Sequence, residues 1–168
     1  MFHGCTYAAM TERDIGQVLE IERAVFKHPW TGDFFRLIIA DYKNYVITLR
    51  RRGEIIGYSG YHLLKNKTSF LATTRDYRRI IHLINLAVRP DQQRKGFGTF
   101  LLETLLRDAA VKRAEYCYLE VRPSNAAAFS FYSALGFSVI GLIDNYYPLE
   151  GEDALVLGKE LDRIRIQD

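Results

Sequence analysis

The chain of 168 residues lacks the features that mark several classes of protein. Its two cysteines, Cys5 and Cys117, cannot form a disulfide framework, and its four histidines are scattered rather than set at metal-ligand spacings. It contains no apolar run of about 18 residues, and no basic region followed by an apolar stretch at its start. We therefore expect a soluble, cytoplasmic protein that has no metal site and does not associate with a membrane.

The chain also lacks a strong excess of charge of one sign. The 23 Lys and Arg residues against 20 Asp and Glu residues give a net charge of +3, which is not the polybasic signature of a nucleic-acid binder. Any anionic partner must therefore be bound locally, and no nucleic acid is required. With 48% hydrophobic residues, no internal repeat and no linker, residues 1–168 are expected to form a single domain.

The periodicity of apolar residues predicts an α/β (α+β) fold with the order β-α-α-β-β-β-α-β-α-β-β. The strands predicted at 80–88 and 116–121 flank a helix, so they form a central parallel pair in a mixed, mostly antiparallel sheet of about seven strands with about four helices. Thr31, and either Ser124 or Asn125, are predicted to cap helices. The basic stretch 65–79 is predicted to be a loop or an extended hairpin tip with a solvated face. The other strands are predicted at 6–10, 45–49, 55–64, 138–143 and 154–157.

The segment Gln93-Arg94-Lys95-Gly96-Phe97-Gly98 follows the apolar strand at 80–88 and opens a helix. Glycines there let the backbone approach a ligand, while the first N–H groups and the dipole of the helix attract an anion. Arg94 and Lys95 add fixed positive charge. The Gly-Lys-Ser/Thr of a Walker loop and the third glycine of a dinucleotide fingerprint are missing. The segment therefore predicts a phosphate site, with a simple tight turn as the alternative.

Six motifs in order resemble those of the GNAT superfamily of acetyl-CoA-dependent N-acetyltransferases. Within it, they look like the bacterial ribosomal-protein-alanine N-acetyltransferases and their archaeal and eukaryotic relatives. The resemblance covers residues 10–161, and the predicted order of elements is that of the family. Besides the segment at 93–98, its motifs are Leu-Glu-Val-Arg at 119–122, Ser-Asn-Ala-Ala-Ala at 124–128, Phe-Tyr at 131–132, Leu-Gly-Phe at 135–137 and Asn-Tyr-Tyr-Pro at 145–148.

The resemblance implies a binding site for acetyl-CoA. The backbone of residues 86–88 would pair with the pantetheine arm, and the amides of residues 94–99 would hold the pyrophosphate. Asn125 would contact the cofactor from the next helix, and Tyr132 would point at the thioester sulfur. The implied cofactor-binding residues are Leu86, Ala87, Val88, Arg94, Lys95, Gly96, Phe97, Gly98, Thr99, Asn125 and Tyr132.

Two residues are candidates for proton transfer. Strand alternation places Glu120 inside a strand that should be largely buried, although spacing alone also fits a carboxylate paired with Arg122 or solvated. The resemblance implies that Glu120 is the general base and Tyr132 the acid that protonates the leaving thiolate. Without the motif, Tyr132 fits an ordinary core aromatic. His82 on the neighbouring strand is either a member of a proton relay or a hydrogen-bonded core residue, and Cys117 is expected to be core.

The resemblance also implies that a loop with Tyr146 and Tyr147, together with the loop around Trp30, lines the entry for a protein N-terminus. The alternative is an aromatic cluster that packs two loops together. A lysine amine costs about 3 kcal/mol more to deprotonate at neutral pH than an α-amine, which favours a protein N-terminus. The resemblance implies a ribosomal protein as a candidate acceptor. The alternatives are acetylation of a small amine or a lysine, and a non-catalytic module that binds acyl-CoA or RNA. The oligomeric state is not indicated.

Overall fold

A computed structural model describes residues 4–65 and 77–161 of the chain. Over these residues the order of strands and α-helices is the predicted one. Two short 3-10 helices, Glu12–Asp14 and Pro90–Gln92, complete it. The elements are β1 Cys5–Ala9, α1 Ile15–Val25, α2 Gly32–Ala40, β2 Asn44–Arg51, β3 Glu54–Lys65, β4 Arg79–Val88, α3 Phe97–Val111, β5 Tyr116–Val121, α4 Ala126–Ala134, β6 Ser138–Tyr147 and β7 Glu152–Glu160.

The strands form one seven-stranded mixed sheet in the order β1-β2-β3-β4-β5-β7-β6. Strands β4 and β5 are parallel, with residues 80–82 beside residues 116–118. The pairs β1–β2, β2–β3, β5–β7 and β6–β7 are antiparallel. The predicted fold class is therefore confirmed. None of the helices in the described ranges is long and apolar enough to cross a membrane.

The helix starts follow the predicted caps. The Thr31 hydroxyl accepts a hydrogen bond from the Phe34 N–H at 3.2 Å, and the Asn125 side-chain oxygen accepts one from the Ala128 N–H at 3.1 Å. Each bond satisfies a backbone donor that the first helical turn leaves without a partner. Of the two capping residues proposed for α4, the structure selects Asn125.

The last two strands are longer than predicted. Strand β7 covers Glu152–Glu160 rather than 154–157, and β6 is extended at its end. The strand does not end at residue 143 but continues to Tyr147, so the tyrosines expected on a loop lie at the end of a strand. Pairing with β7 is interrupted after Ile143 and resumes where Tyr147 faces Glu152. A left-handed backbone at Asn145 (φ 50°) accompanies this irregularity, which interrupts the strand pattern in the sequence. The predicted loop or hairpin tip at 65–79 lies mostly outside the described residues.

The described residues group into two compact units. The first unit takes residues 4–63 and 83–108, and the second takes residues 64–65, 77–82 and 109–161. One core of the first unit lies between α1, α2 and the sheet, and a second lies under α3, where Leu49, Ile56 and Leu101 are buried. The second unit has a core around Ile80, Tyr116 and Val156. The single domain over residues 1–168 stays a prediction.

Candidate active site

In the first unit, a glycine-led loop opens helix α3. Gly96 has a left-handed backbone (φ 85°), and its carbonyl accepts the N–H of Phe100 at 3.0 Å. The N–H groups of Phe97, Gly98 and Thr99 therefore precede the first intrahelical hydrogen bond and lie at the positive end of the helix dipole. This is the arrangement of donors that the sequence predicted for a phosphate.

Contacts within the first unit hold this loop in place. The Gln93 side-chain amide donates to the Val88 carbonyl at 3.0 Å, and the Lys95 ammonium donates to the Asp91 carbonyl at 2.7 Å. A left-handed backbone at Arg94 (φ 57°) turns the chain between these two contacts. The loop is thus tied to the end of β4 by its own side chains.

Gly57 of β3 permits a close approach to the strand segment predicted to bind pantetheine. A Cβ atom at Gly57 would lie 2.8 Å from the Ala87 carbonyl oxygen and 2.9 Å from Leu101 of α3. Ala87 and Val88 are buried and Leu86 is half-buried. A side chain at position 57 would displace this part of β4, so the glycine fixes where residues 86–88 lie within the first unit.

In the second unit, Glu120 and His82 form a close pair. The His82 Nε2 atom lies 2.6 Å from the Glu120 Oε2 atom, and the two side chains are 24% and 9% exposed. The imidazole also stacks on Tyr118, with ring centroids 4.6 Å apart and an angle of 3° between the planes. Arg122, the partner considered for Glu120 from spacing alone, binds Glu150 instead at 3.0 Å.

Tyr146 and Tyr147 of the second unit hold their protons more tightly than a free phenol. Burial raises the pKa of Tyr146, and the Glu120 carboxylate raises it further. Burial also raises the pKa of Tyr147 to about 12, with Tyr146 and then Glu120 adding to the effect. These couplings place Tyr146 and Tyr147 in the electrostatic field of Glu120. Both hydroxyls are therefore protonated at neutral pH and can donate hydrogen bonds.

Tyr132 of α4 is a buried member of an aromatic cluster. Its ring lies edge-on to Phe131 and Phe137, with centroid distances of 5.0 and 5.6 Å. Burial raises the pKa of Tyr132 above its ordinary value, and charge on Cys117 and on Tyr147 would raise it further. Tyr132 is therefore buried as a core aromatic would be, and its role as the acid that protonates the thiolate stays a prediction. Cys117 is fully buried, as its expected core role requires.

Trp30, predicted to bind the acceptor, lies in the first unit just before α2. Its ring packs against Phe34 and Phe35 of that helix, with centroid distances of 4.6 and 5.6 Å. Its backbone N–H donates to a carboxylate oxygen of Glu22 at 2.7 Å. Sequence reasoning missed Glu22, which is only 1% exposed. The sequence signal that could have identified Glu22 is the presence of a carboxylate on the apolar stripe of α1, four residues after Val18.

Taken unit by unit, the structure groups the predicted site residues as follows. In the first unit, the loop at 94–99 follows residues 86–88 after the 3-10 helix Pro90–Gln92, and Gln93 bonds back to Val88. Trp30 lies in the same unit, just before α2. In the second unit, electrostatic coupling links Glu120 with Tyr146 and Tyr147, and Tyr147 with Tyr132. Asn125 uses its side-chain oxygen as the cap of α4, and its contact with a cofactor stays a prediction.

A strand carboxylate beside a histidine and protonated tyrosines, in a mixed sheet with a glycine-led helix start, fits an acyltransferase. The profile of the acetyltransferase (GNAT) family matches residues 15–137. The chain therefore belongs to the GNAT acetyltransferase family, and it is an N-acetyltransferase, as the sequence predicted.

Relatives of known name extend over nearly the whole chain. The N-alpha-acetyltransferase RimI of Mycobacterium tuberculosis is 32% identical over 157 residues, covering 92% of each chain. The [ribosomal protein bS18]-alanine N-acetyltransferase of Escherichia coli K12 is 32% identical over 155 residues, covering 90% of this chain and 95% of its own. A crystal structure of that E. coli enzyme superposes with a TM-score of 0.78 at 26% identity, covering 98% of each chain.

The same fold has also been solved with acetyl-CoA. Arabidopsis thaliana NAA60 in complex with acetyl-CoA superposes with a TM-score of 0.77 at 16% identity, covering 94% of this chain and 98% of that one. At this identity the likeness concerns the fold. The cofactor bound by this fold neighbour is the one that the resemblance to the GNAT superfamily implied.

Proposed function

We propose that this protein transfers the acetyl group of acetyl-CoA to the N-terminal α-amine of a protein by direct attack. The relatives named for the alanine N-terminus of ribosomal protein bS18 make a peptide with that terminus the first acceptor to test. The observation that carries the proposal is Glu120, a nearly buried carboxylate that is bonded to His82 and couples to Tyr146 and Tyr147. The cytoplasmic location stays a prediction.

Glu120 acts as the general base in this proposal. An α-amine has a pKa near 7.7 to 8.0, so removing its proton at neutral pH costs little, and one carboxylate suffices. The amine nitrogen bonds to the thioester carbonyl carbon, and the proton that it loses passes to Glu120, directly or through one water. His82 is a positioning residue, because its Nε2 atom fixes where the Oε2 atom of Glu120 lies.

Tyr132 acts as the general acid. When the carbon–sulfur bond breaks, the thiolate leaves and takes the phenolic proton of Tyr132. The phenol carries its proton at neutral pH, because burial raises the pKa of Tyr132 above its ordinary value. Cys117 is fully buried and has no role as a nucleophile in this scheme, so no acetyl-enzyme forms.

The other predicted site residues are assigned to binding acetyl-CoA and the acceptor peptide. Acetyl-CoA supplies the activated acyl thioester. The N–H groups at the start of α3 bind its diphosphate, with Arg94 and Lys95 adding positive charge, and the backbone of residues 86–88 binds its pantetheine arm. Asn125 adds a contact from α4. Trp30, Tyr146 and Tyr147 bind the acceptor peptide, in which the tyrosine hydroxyls donate to backbone carbonyls.

A peptide library incubated with isotopically labelled acetyl-CoA and read by mass spectrometry tests the proposal. Each peptide is offered with a free and with a blocked N-terminus, and half of the peptides carry an internal lysine. We expect label on the α-amine of free peptides alone. Label confined to the lysines of blocked peptides would show a lysine acetyltransferase. Coenzyme A binding without any labelled product would show a non-catalytic binding module.

A further inference from the structure

Glu22 accepts a hydrogen bond from each end of the segment 26–30, which connects α1 with α2. The backbone carbonyl of Glu22 accepts the N–H of Phe26 at 2.8 Å, where the connection begins. The Oε2 atom of the same residue accepts the N–H of Trp30 at 2.7 Å, where the connection ends. One residue therefore holds residues 26–30 as a closed loop.

The second carboxylate oxygen of Glu22 ties this loop to the sheet of the first unit. The Oε1 atom accepts a hydrogen bond from the Tyr58 hydroxyl of β3, and another from the Asn85 amide of β4 at 3.1 Å. The Asn85 amide also donates to the Tyr58 hydroxyl at 2.9 Å. Tyr58 is as deeply buried as Glu22, with 1% of each residue exposed. Both oxygens of the carboxylate are thus used inside the protein.

The packing of α1 does not explain a carboxylate at this position. Position 22 lies on the apolar stripe of the helix with Val18 and Ile21, where a leucine would continue the core. Burying a carboxylate is costly, and apolar replacements of buried charged groups are often neutral or stabilising. In agreement with this cost, burial raises the pKa of Glu22 despite the hydrogen bonds from Trp30 and Asn85. What explains a carboxylate at position 22 is therefore the set of three groups that donate hydrogen bonds to it: the Trp30 N–H, the Tyr58 hydroxyl and the Asn85 amide.

We propose that Glu22 is a positioning residue for the acceptor peptide, because its carboxylate holds the loop at 26–30 and its Trp30 in the binding position. This inference rests on the proposed function and adds a determinant of its acceptor site. Without the carboxylate, the Trp30 N–H loses this acceptor, and residues 26–30 lose the hydrogen bond that closes the loop at Trp30. The helix start itself is unaffected, because Thr31 caps α2 independently.

The test compares three variants in steady-state kinetics with a free N-terminal peptide. Glu22→Leu continues the apolar stripe but removes the acceptor, and we expect the KM for the peptide to rise at least about tenfold, in line with a lost bond to a charged group. The KM for acetyl-CoA and kcat at saturating peptide stay within about twofold of wild type. Glu22→Gln keeps one oxygen for the Trp30 N–H, so it restores most of the peptide affinity.

Asp14→Leu is the matched control. Asp14 is also a buried carboxylate, at the other end of α1, and it accepts from the Thr11 N–H at 2.9 Å and from Arg50. Its loss should lower stability without changing the KM for the peptide. If Asp14→Leu raises that KM as much as Glu22→Leu does, general destabilisation explains the effect and the inference is wrong.

A second readout does not depend on activity. Trp30 is the only tryptophan in the chain, so quenching of intrinsic fluorescence by acrylamide reports its exposure. Trypsin cleavage after the exposed Lys27 reports opening of the same loop. We expect both to increase in Glu22→Leu and neither in Asp14→Leu. If Glu22→Leu does not fold, Glu22→Met serves in its place, since it also lacks an acceptor.

The two levels of the proposal fail in different ways. The proposed function fails when wild-type protein labels no peptide α-amine. The role of Glu22 fails when Glu22→Leu leaves the peptide KM, the quenching of Trp30 and the cleavage after Lys27 at wild-type values.

Discussion

His82 of β4 points its Nε2 atom at Glu120 of β5, 2.6 Å from the carboxylate, while its ring lies flat on Tyr118. The parallel register that pairs His82 with Tyr118 puts Glu120 two residues further along the same face of β5. Stacking therefore fixes the plane of the imidazole, and the hydrogen bond fixes the carboxylate. The candidate base has one defined orientation.

Replacing the candidate base should stop the reaction without unfolding the protein. In Glu120→Gln the amide cannot accept the proton of the amine, and we expect kcat to fall by about 10² to 10⁴. The affinity for coenzyme A, measured by calorimetry, should be unchanged. Glu152→Gln, a change in another carboxylate of the second unit, is the control and should keep full activity. A wild-type kcat in Glu120→Gln would exclude Glu120 as the base.

Two variants of His82 separate hydrogen bonding from stacking. His82→Phe retains a ring to pack on Tyr118 but loses the donor to Glu120, and we expect kcat to fall about tenfold or more. His82→Gln places an amide donor near the same position and should recover most of the rate. A wild-type rate in His82→Phe together with a loss in His82→Gln would mean that the ring, and not the hydrogen bond to Glu120, matters. The full pH–rate profile of each variant shows whether the ionisation of the base has changed.

Tyr132→Phe tests the proton donor to the thiolate. We expect kcat to fall by about 10² or more, because the leaving sulfur must then take its proton from water. Tyr116→Phe is the matched control, because burial raises the pKa of Tyr116 to about 12 but no catalytic role is assigned to it. Steady-state kinetics with acetyl-CoA compare the two. Equal, small losses in both would assign Tyr132 to packing alone.

Alanine substitutions at two glycines test whether the loop at 94–99 binds the diphosphate of coenzyme A. Gly96 and Gly53 have nearly the same left-handed backbone (φ 85° and 88°), so alanine strains each by about 1 to 2 kcal/mol. A Cβ atom at Gly53 would lie more than 4 Å from every atom of the described residues beyond its chain neighbours, so backbone strain is the only cost that they impose there. We expect Gly96→Ala to weaken coenzyme A binding about tenfold in calorimetry and Gly53→Ala to leave it unchanged. Equal changes of coenzyme A affinity in both variants would show that Gly96 is not part of the binding site.

The stability of the protein should carry a pH signature from Glu22. Burial raises the pKa of Glu22 above its ordinary value of 4.5, so the folded state binds this proton more tightly than the unfolded state. The stabilising contribution is fully present below the unfolded pKa and is lost as the pH rises through the folded pKa. In urea unfolding above pH 4, the stability of wild type relative to Glu22→Gln should therefore fall with increasing pH. A difference that is constant or rises would contradict the assignment.

Much of the fold could be predicted because its signals are local. The spacing of apolar residues predicted whether each element is a helix or a strand. Thr31 and Asn125 cap their helices as expected, because a helix cap involves only three or four consecutive residues. The start of α3 followed from the glycine-containing segment at 93–98, in which Gly96 adopts a left-handed backbone. The end of β6 was placed too early, because the irregularity near Asn145 breaks the strand pattern although pairing resumes beyond it.

The sequence by itself determined the order of the elements, the glycine-led helix start and the presence of a carboxylate at position 120. Tertiary structure alone decided the partners of the acidic groups: His82 rather than Arg122 for Glu120, and the donors of Trp30, Tyr58 and Asn85 for Glu22. The physical reason is the separation along the sequence over which each interaction acts. Periodicity and caps act within a few residues, whereas His82 and Glu120 are 38 positions apart and meet only because two parallel strands pair in one register.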